Sequence, residues 1–161
     1  MLPARECIWG DKMSEVQEMN KSGLENVREM LSGSGYSDRA IMYFLNKTNM
    51  GSLPDADQVT ELTGHCGDTM KVYLKLEDGR IKDAKIQVLG CPGAIASAMA
   101  AMELIKDKTI EEAMAITDRD IFRMLGEIPD QKQHCIRLTN KTVQKAIQEY
   151  KCNNRDNLEG E

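Results

Sequence analysis

Cys66, Cys91 and Cys135 sit at the edges of elements, each beside a glycine or a polar residue. Thiols placed there suit an iron–sulfur cluster or zinc, which select soft ligands, better than a core or a disulfide. Cys66 lies in Thr63-Gly64-His65-Cys66-Gly67-Asp68, ahead of a strand pattern, and Cys91 lies in Gly90-Cys91-Pro92-Gly93-Ala94, ahead of a helix pattern. Cys135 follows His134 where the last helix pattern starts. Adding Asp68 and His134 draws candidate ligands from three separate segments. A thiol must lose its proton before it binds metal or attacks sulfur. At the predicted helix starts of Cys91 and Cys135, the peptide dipoles and unpaired N–H groups favour an anion. Cys66, flanked by Gly64 and Gly67, gains mobility instead. Two rigid thiols and one mobile one suit a site that opens and closes.

Asp68 is two residues from Cys66, so in an extended chain both side chains share a face. A carboxylate is a harder, weaker partner for iron than a thiolate. Three thiolates with one oxygen or imidazole ligand therefore hold a cluster less tightly than four thiolates, which is useful if the cluster is meant to leave. Each residue also has a plainer reading. A single buried cysteine is more often a small hydrophobe, and Cys7 and Cys152 are assigned to no site. Asp68 is either a ligand or a turn residue, and His134 a ligand or a capping or packing residue. His65 would point away from Cys66 in an extended segment and is read as structural or supporting. Lys132 is either a solvated loop charge or the cation that offsets an anionic site.

The 161 residues fit one domain with room for a core, at 41% hydrophobic. Aromatic residues are few (Trp9, Phe44, Phe122 and four tyrosines), while eleven methionines imply a core of small and flexible side chains. Net charge is −5 with both signs interspersed, so nucleic-acid binding has no electrostatic support. No apolar run approaches the length needed to span a bilayer, and the N-terminus shows no secretory signal core. Five cysteines without regular spacing are not a disulfide framework; a reducing cytoplasm fits.

Several elements must position the thiols. Residues 1–13 read as a leader and 14–31 as a helix ended by Ser32-Gly33-Ser34-Gly35. Tyr36 to Asn46 is predicted as a helix with Ser37 as its N-cap. Residues 49–63 form an extended connector whose end, Gln58 to Leu62, can supply a strand. Met70, Val72, Leu74 and Leu76 alternate with polar residues, Asp78-Gly79 marks a hairpin turn, and Ala84, Ile86 and Val88 alternate on the return. After Cys91, Pro92 suits a first helical turn, and Ala94 to Lys106 is a small-residue helix. Thr109 with Glu112 reads as a capping box for a short helix to Ile116. Asp118 to Leu125 follows, then a last helix from His134 to Lys151 and a polar, frayed tail. The order argues for an α+β fold: about three antiparallel strands with helices packed on one face, and an N-terminal helical extension. The expected division is an extension (1–35), one domain (36–151) and a tail (152–161).

With these residues placed, Gly67-Asp68 after Cys66, Leu89-Gly90-Cys91 followed by Ala94-Ile95-Ala96-Ser97, and Lys132-Gln133-His134-Cys135 resemble the IscU/NifU N-terminal family of iron–sulfur cluster scaffolds. The likeness runs from about Tyr36 to Lys151 and includes Asn49-Met50-Gly51-Ser52 and Thr109-Ile110-Glu111-Glu112-Ala113. It implies a carrier rather than a turnover enzyme. Such a scaffold receives sulfur from a cysteine desulfurase, builds a transient 2Fe–2S cluster with iron and hands it to apo-proteins. The family's cysteines fall on Cys66, Cys91 and Cys135, its aspartate on Asp68, its histidine on His134 and its motif lysine on Lys132. Cys135, beside His134, is the candidate persulfide acceptor.

Three departures stand out. The usual Gly-Ser after the second cysteine is Pro92-Gly93. The chaperone-binding Leu-Pro-Pro-Val-Lys reads Ile128-Pro129-Asp130-Gln131-Lys132, which makes a dedicated chaperone doubtful. Residues 1–35 lie outside the family pattern, and their helix could dock on the domain or support self-association as a homodimer or higher homo-oligomer. The alternative is a zinc-dependent sulfur acceptor of the SufU branch. That branch carries an insertion between the second and third cysteines and lacks the histidine, whereas this chain has His134 and no obvious insert. Zinc could still occupy the purified protein.

Overall fold

The computed structural model describes residues 23–65 and 67–159. Expectations for the leader with Cys7 and Trp9, the helix before residue 23, and Cys66 lie outside the described residues. The chain is helical over 23–33 (α1). Then follow α2 (Asp38–Asn46), β1 (Gln58–Thr63), β2 (Thr69–Glu77), β3 (Arg80–Leu89) and α3 (Pro92–Ile105). The C-terminal part holds α4 (Ile110–Met114), α5 (Asp118–Leu125), a 3₁₀ turn (Asp130–Lys132) and α6 (Gln133–Glu159). No described helix is long and apolar enough to cross a membrane.

The strands form one antiparallel sheet in the order β1-β2-β3. Alternation decides its faces: Met70, Val72, Leu74, Ile81, Ala84 and Ile86 are fully buried, and the residues between them face outward. Asp78 and Gly79 both take positive φ, 55° and 77°, forming the hairpin turn. A bulge between Lys75 and Leu76 shifts the register, so that β3 starts at Arg80, earlier than its alternation suggests. The register also fixes the site. Thr63 pairs with Thr69, and Thr69 with Leu89, so the 64–68 loop and the Gly90-Cys91 exit leave the same end of the sheet side by side.

α3 lies at the centre, in contact with α2, α5, α6 and β3. Ala94, Ala96, Ala98 and Ala100 are fully buried, and so are Met99 and Met102 on the other sides. A helix apolar all round belongs inside; its alanines let neighbouring backbones close in and its methionines fill the gaps. The connector is pinned by Asn49, 5% exposed, whose amide donates to the Met99 carbonyl while its oxygen accepts from Lys106.

Ser37 caps α2, accepting from the Ala40 N–H, and Tyr36 stands just outside that helix. Helix α1 ends as the glycines predict. Gly35 (φ +99°) allows the Tyr36 N–H to bond back to the Leu31 carbonyl and its own N–H to reach Ser32. Three expectations are corrected. Thr109 accepts from the Glu112 N–H, but the full capping box belongs to Thr117 and Asp120, which open α5 and so stop α4 at Met114. Helix α6 begins one residue early, at Gln133, following directly from the 3₁₀ turn. It also runs on to Glu159 rather than fraying after Lys151, because no glycine or proline interrupts the chain before Gly160. Its inner stripe of Thr139, Val143, Ala146 and Ile147 is buried, and Tyr150 half-buried.

Enlarging the centre of α3 is expected to be costly: Ala98→Leu should destabilise the fold by about 1–3 kcal/mol through overpacking, read as a lower midpoint in urea denaturation. An unchanged midpoint would show that this helix is not close-packed.

Candidate functional site

Each site residue is placed by the end of an element. Cys91 is the N-cap residue of α3, with extended backbone (φ −74°, ψ 167°), and Pro92 begins the first turn. Cys135 is in the first turn of α6 and fully buried; Thr139 one turn on donates to its carbonyl at 2.8 Å. Asp68 closes the 64–68 loop, where its carbonyl accepts from the Gly64 N–H at 2.8 Å. Gly90 must be a glycine for this packing. A Cβ there would stand 2.8 Å from the Asp68 carboxyl carbon and 3.1 Å from the Ala94 methyl.

These placements bring the donors together. Cys91 Sγ lies 3.5 Å from Cys135 Sγ, and Asp68 Oδ2 lies 3.8 Å from the first sulfur and 3.9 Å from the second. His134 Nε2 is 3.6 Å from Cys135 Sγ. Ligand atoms of Asp68, His134 and Cys135 all fall within 4.8 Å of one another. Four of the five residues singled out from the sequence thus converge, and the fifth, Cys66, lies outside the described residues. Cys152 is exposed, on the C-terminal part of α6.

Charge in the site is set by these contacts. The Cys91 thiol is held down to about 6, chiefly because the Cys135 thiol donates a hydrogen bond to it. The Ala94 N–H at the start of α3 and the Lys132 cation act the same way, while burial and the Asp68 carboxylate oppose them. Lys132 is therefore electrostatically part of the site. Its Cβ packs over Gly93, 3.2 Å from where a side chain would begin.

Tyr36 is a neighbour that the sequence reading passed over. Its hydroxyl sits 3.3 Å from the position a Gly93 Cβ would take. Burial pushes its pKa up, and the charges of Cys91 and Cys135 add to that. The available signal was its position just after the Gly35 turn, at the first residue of the family-like stretch. His65, in the loop that leads to Asp68, is exposed.

The sign of the Cys91 shift gives a direct test. A lowered pKa means the reactive thiolate persists to low pH, about nine-tenths ionised at pH 7. Alkylation of Cys91, followed by peptide mass mapping of the metal-free protein, should rise with a midpoint near pH 6. Lys132→Ala and Cys135→Ala should each move that midpoint upward. A midpoint near the ordinary thiol value in the unsubstituted protein would contradict the geometry.

Comparison with known proteins shows the family of the chain. The family model of the NifU-like N terminal domain matches residues 35–157. An iron-sulfur cluster assembly scaffold protein, IscU 1 of Archaeoglobus fulgidus, is 43% identical over 116 residues, covering 71% of this chain and 76% of that one. The iron-sulfur cluster assembly protein IscU of Plasmodium falciparum is 36% identical over 149 residues, covering 90% of this chain and 87% of the other. Among solved structures, a putative iron-sulfur cluster assembly scaffold protein for the SUF system from Fervidobacterium islandicum superposes with a TM-score of 0.58 at 25% identity. That match covers 70% of this chain and 96% of the other. The chain belongs to the NifU-like N-terminal domain family.

Proposed function

We propose that the chain is a scaffold on which an iron–sulfur cluster is assembled and from which it is passed to apo-proteins, and that it is not a turnover enzyme. The observation that carries this reading is the convergence of Cys91, Cys135 and Asp68 within 3.9 Å of one another, with His134 3.6 Å from Cys135. The working unit is residues 36–151, with 1–35 as an extension and the rest a tail. With Cys66 as the third thiol, Asp68 or His134 supplies the fourth ligand. Four terminal ligands, two per iron, suit a 2Fe–2S cluster as the cargo. The same donors suit tetrahedral zinc, which would compete for the vacant scaffold.

Sulfur comes from a cysteine desulfurase as a persulfide. Cys135 gives up its proton, its sulfur attacks the outer sulfur, the donor's thiolate leaves and takes up that proton, and Cys135 carries the new persulfide. Because Cys135 is fully buried, the site must open for this step, and the loop containing Gly64 and Gly67 is the segment suited to move. No dedicated chaperone is assigned: Asp130 is exposed, and the stretch around it is a 3₁₀ turn rather than an extended apolar strand. A reducing cytoplasm is the compartment in which these thiols stay reduced.

Two measurements test the reading. Cys66→Ser, Cys91→Ser or Cys135→Ser should each abolish stable reconstitution with iron and sulfide under exclusion of oxygen, because oxygen replaces a soft ligand; Cys7→Ser and Cys152→Ser should not. Normal reconstitution of a core variant would remove that residue from the site. Asp68→Ala removes an exchangeable oxygen and a negative charge beside two thiols. Its cluster should transfer to an apo-ferredoxin with a half-time several-fold longer at matched loading. Equal half-times would make Asp68 a turn residue only.

A further inference from the structure

His134, Arg137, Leu138 and Lys141 stand at i, i+3, i+4 and i+7 of α6 and form one stripe along its surface. With Gly64 and His65 opposite, they line a groove of about 430 Å³ that starts at the site and runs along the helix. Gly64 allows the close approach, since a Cβ there would meet the Leu138 side chain at 3.0 Å. The floor is apolar at Leu138, 7% exposed, and the rims are basic. Arg137 and Lys141 supply the positive charge of the rims. No aspartate or glutamate among the described residues lines the groove, in a chain whose net charge is −5. Among the described residues, neither Arg137 nor Lys141 has a carboxylate within ion-pair distance. Asp68 lies close to His134, but its carboxylate faces the two sulfurs.

We propose that this groove docks an extended acidic segment of the protein that takes the cluster. Seven residues of helix span about 10 Å, the length of about three extended residues. An acidic segment complements the rims, and such complementarity acts mainly on encounter rate and register. The position favours an acceptor over a sulfur donor. The donor must reach Cys135, which is fully buried, whereas the groove opens onto the exposed His134. An exposed nitrogen or oxygen ligand is the one an incoming thiolate displaces first. A segment seated along α6 therefore delivers its thiol at the exchangeable corner of the site. The inference rests on the scaffold reading above, and the charged pair that carries it is outside the ligand set.

The test uses the charge-reversed variant Arg137→Glu/Lys141→Glu in the full chain. Cluster loading, read by visible absorption and iron content, is measured first and should equal that of the unsubstituted protein; this step tests the scaffold reading separately. Transfer to an acidic apo-ferredoxin at low salt should then be about tenfold slower in the variant. Salt should slow the unsubstituted protein and speed the variant, whose repulsion from the acceptor it screens. Removal of iron by a neutral chelator should be the same in both. Independently of any cluster, a fluorescent Asp/Glu-rich peptide with serine in place of cysteine should bind the metal-free protein and lose binding in the variant. Unchanged transfer and peptide binding in the variant would overturn the proposal, and so would equally slowed removal by the chelator. If a small tripeptide thiol at millimolar concentration displaces the peptide and blocks transfer, the groove is a small-molecule site and the proposal also fails.

Discussion

The contact on which the structure turns is the approach of two thiols and a carboxylate to within 3.9 Å of one another. Three groups that are anionic when ready to bind metal repel one another strongly at such distances when water is largely excluded. The protein offsets this only in part. One thiol donates to the other, an N–H at the start of α3 points at Cys91, and Lys132 supplies a cation. What remains is an excess of negative charge that a cationic metal centre relieves. Such an arrangement would favour a cationic occupant at the expense of the site's own stability, and the fold around it supplies the rigidity.

That rigidity explains the placement of α3. Its buried alanines bring the helix close to the sheet, so that its N-terminus, with Cys91, lies beside the Asp68 loop. The strand register fixes the other side, since Thr69 pairs with both Thr63 and Leu89. The candidate ligands therefore come from the ends of rigid elements, and a glycine, Gly90, is needed where two of those ends touch. The contrast in accessibility follows: Cys135 is sealed in the first turn of α6, while His134 beside it is exposed. Loading and release would then act on different faces of the same constellation.

Much of this was legible in the chain. The period-two alternation from Met70 to Leu76, the Asp78-Gly79 turn and the Cys91-Pro92 helix start predict the hairpin and α3 from local rules alone. The three-stranded sheet, with helices packed against it, is the architecture those elements imply. The convergence of Asp68, Cys91, His134 and Cys135 was readable from residue type and element ends. What local rules missed depends on tertiary contact. The bulge at Lys75 and Leu76 extends β3 beyond its alternating stretch. Both Thr109 and Thr117 cap a helix, but only at Thr117 does the side chain three residues on, that of Asp120, reach back to the cap N–H. Tyr36 and the Arg137–Lys141 stripe carry no motif, and their relation to the site appears only when the helices are assembled.

On this reading the chain holds an iron–sulfur cluster through three thiolates and one oxygen or nitrogen donor. Mössbauer spectroscopy of the ⁵⁷Fe-reconstituted protein tests it most directly, because it reads the ligands of each iron separately. Two inequivalent iron sites, one bound only by sulfur and one by a mixed set, with the inequivalence altered by Asp68→Ala or His134→Ala, are expected. Two equivalent all-sulfur sites, or no uptake of iron and sulfide at all, would contradict the assignment.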